Sequence, residues 1–268
     1  MIKKTLIYSI VAALSLMSCH TRTESLLDPN TGAPISKKPG GAFGNEAQYE
    51  NEMKRINVNP SLLQIRSLIY SNDNGETQSV NGLIDENGEI LKLSQEYSDS
   101  KGTTIAIHCY FKNKKLISAI NKTTVIADKK SFCREIKSYY GENEQVVYSC
   151  SRKAKSEISL EKLNFIADKK YNFGYKEAME ILKQTGRFET RFLSFMDAAG
   201  KEFIVVGTSG KDAYFSVLAI QPDIKAIQLI QADEKKYVNK LLKVEFTEVT
   251  EADGFTFQGL LNAEIIEK

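Results

Sequence analysis

The sequence predicts a mainly β protein: an antiparallel β-meander domain followed by a smaller β domain with one helix. Three observations carry that expectation. Apolar and polar residues alternate with period two through most of residues 62–152, as in strands with one face turned inward. Short breaks rich in Asn, Asp, Gly and Lys separate the runs at hairpin spacing. After a single helical stripe near residue 180, alternating runs with turn residues between them resume to the end.

In chain order, Lys3 and Lys4 precede an uncharged apolar run from Leu6 to Met17. That run is too short for the roughly 20 residues a helix needs to cross a bilayer, and has the form of a secretory signal peptide over residues 1–18. Leu16-Met17-Ser18-Cys19 resembles the lipobox of bacterial lipoproteins, with an apolar residue first, a small one before the cut and Cys after it. The resemblance implies cleavage before Cys19 and acylation there, by chains such as palmitate, so that membrane lipid is a partner through Cys19. Two or more chains hold a protein stably where one does not. His20, in place of Asp after the Cys, implies by the same resemblance the outer membrane of the bacterial cell envelope, and no acidic run suggests export beyond its periplasmic face.

Residues 19–45 mix Thr, Ser, Pro, Gly and charge without periodicity and are expected to form a flexible tether, with a reach on the order of 30 Å. EAQYENEMKRI before Pro60 has the composition of a short helix. The antiparallel β-sheet domain is expected over 46–157. Its runs are LLQIRSLIY, QSVNGLID, ILKLSQEY, TTIAIHCYF, LISAINKTTVI, SFCREIKSYY and QVVYSCS, broken at NDNGE, ENGE, SDSKG, KNKK and GEN. In TTIAIHCYF, Ile105, Ile107, Cys109 and Phe111 share one face while Ala106, His108 and Tyr110 share the other. IADKK occurs at 126–130 and again at 166–170; the diverging flanks favour coincidence over duplication.

Residues 158–268 are expected to hold the helix and the second β domain. In YKEAMEILKQTG, Tyr175, Ala178, Met179 and Leu182 form an apolar stripe, and Gly186 suits the residue after the helix. RFETRFLSFMD, EFIVVGT and AYFSVLAI read as three strands. KAIQLIQA and a helical turn at DEKKYVNK follow, then the strands LLKVEFTEVT and FTFQGLLNAEIIE. Three strands, a connection and two strands resemble the OB-fold, a five-stranded partly open barrel.

Composition restricts function more than it defines it. Lysine and arginine total 36 against 34 acidic residues, and the excess is Lys3 and Lys4 of the signal. A balanced mature chain argues against nucleic acid as partner. Three cysteines remain after Cys19, and an oxidising compartment favours one pair. A hairpin centred between Gly141 and Glu142 would set Cys133 opposite Cys150, Ile136 opposite Val147 and Glu135 opposite Tyr148, so a Cys133–Cys150 disulfide is expected, contributing about 3 kcal/mol.

Sites of known chemistry are sparse. His20 falls in the tether, leaving His108, whose neighbour Cys109 points to the opposite face and cannot form a dyad with it. Asn72-Asp73-Asn74-Gly75 and Asp85-Glu86-Asn87-Gly88 lack the spacing of calcium loops and read as turns. Gly207-Thr208-Ser209-Gly210-Lys211 lies between strands, where no phosphate loop forms. No cofactor, metal or catalytic residue is assigned. Phe188, Phe192, Phe195, Phe203, Tyr214 and Phe215 crowd the first strands of the second β domain. Phe188 and Phe192 share parity and Phe195 points the other way; any that face outward could stack on sugars or grip a peptide, and the rest fill the interior. The expected function is a non-catalytic binding or interaction role in the envelope, with a protein or glycan as partner. The alternatives are an enzyme acting on cell-wall or sugar substrates through carboxylates, and an inhibitor or immunity-type protein.

Overall fold

A computed structural model describes residues 46–127, 131–198, 200–211, 213–221, 223–252, 254 and 256–267. The expected signal peptide and tether, with Cys19 and His20, lie outside the described residues. The fold is mainly β, as expected.

Helix α1 (Glu46–Val58) leads into β1 (Leu63–Arg66) and β2 (Tyr70–Ser71), which both pair with β3 (Thr77–Ile84). The alternating run LLQIRSLIY is thus two strands. Ser67 breaks it: its amide still bonds the Val80 carbonyl, but its hydroxyl accepts from the Val80 amide at 2.8 Å, where a ladder carbonyl would, and donates to the Leu68 carbonyl at 2.7 Å. The meander continues through β4 (Ile90–Ser98), β5 (Thr103–Lys112), β6 (Lys115–Val125), β7 (Phe132–Tyr140) and β8 (Val146–Ala154), each antiparallel to the last.

Its turns share one device. Asn72, Asp85 and Asp99 each aim a side-chain oxygen at two amides of the turn they open, at 2.8–3.0 Å: Asn74 and Glu76, Asn87 and Glu89, Lys101 and Thr103. The glycine three residues on adopts a positive φ in all three (Gly75, Gly88 and Gly102). These hydrogen bonds hold the Asp85 and Asp99 carboxyls below the usual carboxylate range. The two calcium-like fragments are therefore turn closures.

After β8 come the short helix α2 (Glu157–Glu161) and β9 (Ile166–Ala167), an edge strand on β8. Helix α3 (Lys176–Lys183) buries Ala178 and Ile181, with Tyr175, Met179 and Leu182 packed against the same core. The left-handed residue that ends it is Gln184, at φ 54°, in place of Gly186. Gln184 is held there because its amide donates to the Val244 carbonyl (3.2 Å) and accepts from the Thr190 hydroxyl (3.0 Å).

Strands β10 (Arg191–Ala198), β11 (Lys201–Gly207) and β12 (Phe215–Ala219) are antiparallel in sequence. KAIQLIQA forms helix α4 (Lys225–Ala232), burying Ala226, Ile227 and Ile230, and is followed by α5 (Glu234–Tyr237). Strand β14 (Thr256–Ile265) then pairs parallel to β12 at Ala219↔Gly259 and antiparallel to β13 (Leu242–Thr250). An isolated bridge, Arg191↔Leu241, links the start of β13 back to β10, beside a 2.9 Å bond from the Phe192 amide to the Lys240 carbonyl. The order β10-β11-β12-β14-β13, with α4 in the crossover, is OB-like.

The modules are joined. Phe215 pairs with Ser71, so β12 continues into β2 and the whole is one 14-stranded sheet. One hydrophobic core runs from Leu68, Val80 and Cys109 of the meander through Ile181 to Phe192, Ile204 and Leu260 of the second module. A buried polar network crosses the same junction: the Gln78 amide donates to Tyr214 Oη (2.8 Å), and the Gln95 amide to Gln78 Oε1 (3.1 Å).

Candidate functional site

Because partners directly opposite in a sheet share a face, the register defines rows running across the meander. On the face away from the large core, one row is Ser79–Glu96–Ala106–Lys122–Glu135–Arg152. The next is Asn81–Ser94–His108–Ile120–Lys137–Cys150, and a third is Leu83–Lys92–Tyr110–Ser118–Tyr139–Tyr148. The core face needs apolar residues, so this face inherits the polar half of every alternation.

Helix α1 covers the third row. Met53 and Ile56 pack on Tyr110, Ile117, Tyr139 and Cys150 in a second, smaller core. Polar ties fix the helix at both ends. Glu50 accepts from Lys137 Nζ at 2.9 Å and from Tyr139 Oη at 2.6 Å, while Asn57 Oδ1 accepts from Lys92 Nζ at 2.8 Å. On the β7–β8 side, Arg152 forms a two-pronged contact with Glu135 (2.5 and 2.9 Å) and lies over the Phe165 ring at 4.6 Å. Lys137 lies over that ring too, at 4.7 Å. Between these flanks the β4–β6 part of the first two rows is half-buried, except Lys122, which is exposed.

His108 sits at the centre. Its Nδ1 lies 2.9 Å from the Ser94 hydroxyl on the neighbouring strand. Burial, with the nearby ammonium groups of Lys92 and Lys122, pushes its pKa down to about 4, so the ring is neutral at physiological pH. Burial and Lys122 together lower the pKa of Lys92, and burial raises that of Glu96. A sequence scan for His partners by proximity misses Ser94, fourteen residues upstream of His108 in the chain. The Asp99–Gly102 turn is the signal that finds it: closing that turn sets Ser98 opposite Thr104 and hence Ser94 opposite His108.

Other expected residues fall elsewhere. Cys109 does point away from His108 and is buried in the large core. The Cys133–Cys150 disulfide is corrected. Cys133 stands opposite Ala154 and Cys150 opposite Lys137, and all three thiols are free and buried. Four register positions separate the two cysteines, about 13 Å along the strand, beyond any disulfide. The cause is the turn: Glu144 takes a left-handed φ of 55° and Gly141 bonds across to Gln145, which moves the hairpin centre past Gly141–Glu142. Glu144 Oε1 anchors this loop by accepting from the Leu116 amide at 2.9 Å.

Of the aromatic residues, Phe188, Phe192 and Tyr214 are buried. Phe195 joins Phe192, ring centroids 5.0 Å apart, in place of pointing away, because a bulge at Leu193 reverses the alternation. Phe203 meets Phe257 edge-on at 6.5 Å, beside Lys201. Gly207 opens the connection from β11 to β12, where a Cβ would sit 2.3 Å from the Tyr214 carbonyl; tight backbone approach explains that glycine. Open depressions among the described residues include one of about 480 Å³ at Phe132, Lys153 and Lys155 and one of about 680 Å³ beside the Arg66–Glu248 ion pair. Among the described residues no group of His, Cys, Asp and Glu is arranged to hold a metal ion, and no helix is long and apolar enough to cross a membrane.

Comparison of the chain with protein-family models, curated proteins and solved structures finds no match. The polar face is therefore read from its own chemistry.

Proposed function

We propose that this chain is a bacterial lipoprotein, acylated at Cys19 and held at the periplasmic face of the outer membrane, that binds an envelope partner non-catalytically through the polar face of its meander. The observation that carries the binding reading is the spacing of the carboxylates. Glu96 and Glu135 are the two sheet carboxylates in the three rows, and they lie in one row three strands apart, about 14 Å at about 4.8 Å per strand. Paired-acid glycoside chemistry uses separations of about 5–9.5 Å. Glu135 is moreover held by Arg152. The face presents hydroxyls, an imidazole and ammonium groups side by side, which suits recognition of a polar surface. The lipobox sequence supports the anchor.

Two experiments test this. A Cys19→Ser form expressed in a bacterium leaves the membrane fraction and loses the acyl mass; unchanged fractionation and mass contradict the anchor. A photo-reactive side chain at position 122 forms a defined adduct in intact cells, whereas one at exposed Leu229 on α4 does not. Equal labelling from both positions, or saturable hydrolysis of an envelope polymer abolished by Glu96→Gln, contradicts the binding role.

A further inference from the structure

Lys92, His108 and Lys122 occupy three adjacent strands, each lysine two residues along from the position opposite the histidine. Such diagonal neighbours lie about 7–8 Å apart, within reach of long side chains. Their direct partners carry no charge, although Glu96 on β4 is also a diagonal neighbour of His108 and shares a row with Lys122. The polar partners of Lys92 are neutral, the Asn57 carbonyl oxygen at 2.8 Å and the Tyr110 ring at 5.2 Å. Lys122 is exposed and makes no ion pair among the described residues. The Ser94 hydroxyl completes the group at 2.9 Å from the imidazole. Elsewhere on this face basic groups are matched, Lys137 with Glu50 and Arg152 with Glu135. The cluster at the open centre is the exception: Lys92, Lys122 and the neighbouring Glu96 make no ion pair among the described residues.

We propose that Lys92, His108, Lys122 and Ser94 form a binding site for a compact oxyanion, a carboxylate or phosphate group carried by an envelope glycan or lipid headgroup. The site specifies the ligand class for the polar face and so rests on the binding role proposed above. An oxyanion there replaces repulsion between two ammonium groups with attraction to both. It also favours the imidazolium, whose ring N–H groups can donate to it. Binding therefore takes up a proton at His108, and affinity rises as pH falls below neutrality, until the anion itself is protonated. The ionisable groups facing His108 are Lys92 and Glu96 from β4, Tyr110 from β5, Lys122 from β6, Lys137 and Glu135 from β7, and Glu50 from α1; Glu135 and Glu50 are already paired.

The test is an NMR titration of the histidine rings in the full mature chain made soluble by Cys19→Ser, with His20 as internal reference. Millimolar glycerol 1-phosphate or glucuronate is compared with chloride at equal ionic strength, and with glucose. The expected result is a rise of about one pH unit or more in the His108 midpoint, a tenfold linkage, with His20 unmoved. Lys122→Gln removes most of the rise and Lys122→Arg keeps it. A larger rise with glycerol 1-phosphate indicates a phosphate source, and with glucuronate a carboxylate source. An unchanged midpoint with both anions overturns the inference, as does a rise insensitive to Lys122→Gln. If glucose, or the partner captured from position 122, perturbs Ser94 and His108 while the anions do not, the oxyanion site fails and the binding role stands.

Discussion

The Tyr139 hydroxyl, on β7, donates a 2.6 Å hydrogen bond to Glu50 on α1, ending on the same carboxylate oxygen that accepts from Lys137. Burial pushes the Glu50 carboxyl upward, but the Lys137 ammonium and the Tyr139 hydroxyl outweigh it and hold the group below its ordinary range. A depressed carboxyl stabilises the fold above its unfolded pKa, and that contribution is lost as pH falls through the folded value. Glu50→Gln should therefore cost about 1–2 kcal/mol in urea denaturation at neutral pH, and the difference from wild type should vanish in acid. A pH-independent difference would contradict the ion pair as its source.

His108 shifts stability in the same direction with pH, here because the neutral ring is the form the fold favours. Its folded pKa of about 4 lies below the unfolded value near 6.5, so the unfolded chain takes up a proton first as pH falls. Stability contributed by the neutral ring is complete above about pH 6.5 and declines toward pH 4, by on the order of 3 kcal/mol. His108→Gln, which keeps a partner for Ser94, flattens that slope between pH 6.5 and 4 in wild-type-subtracted denaturation curves. An unchanged slope means that His108 titrates normally.

Burial pushes the Cys109 and Cys150 thiols up to about 12, so little nucleophilic thiolate forms at neutral pH. Native protein treated with iodoacetamide should stay unmodified at Cys109, Cys133 and Cys150, and all three should alkylate in denaturant. Peptide mass mapping that finds a Cys133–Cys150 bridge would show that the β7–β8 register is wrong.

Glu135 is nearly excluded from water, its side chain 7% exposed, and Arg152 is its ion-pair partner. Arg152→Met strands that carboxylate and should cost about 3–5 kcal/mol, while adding Glu135→Gln recovers much of it. Arg152 also donates to the Leu163 carbonyl at 3.2 Å, so faster amide exchange across 156–165 should accompany the single variant. A double-mutant cycle from chemical denaturation with no coupling would contradict the pair.

How much of this was legible in the sequence differs from element to element. Period-two alternation located β3 to β8 and assigned His108 and Cys109 to opposite faces, because the alternation is imposed by one buried face. The order of strands after residue 187 carried the OB-like topology. Register was the weak point. It depends on single residues that alternation does not reveal: left-handed Glu144, which displaced the β7–β8 pairing, and the bulge at Leu193, which turned Phe195 inward. KAIQLIQA became helix α4 because Ala226, Ile227 and Ile230 at helical spacing find a core to bury against. The polar face itself emerges only when six strands are aligned, so no local motif announces it.

The proposed binding face is tested most directly by mapping amide chemical shifts of the Cys19→Ser chain during titration with any partner that position 122 captures. Perturbations should centre on Ser94, His108 and Lys122, with α1 and Phe165 at the margin. Perturbations centred on Phe203 and Phe257 of the second module, leaving His108 unmoved, would contradict it.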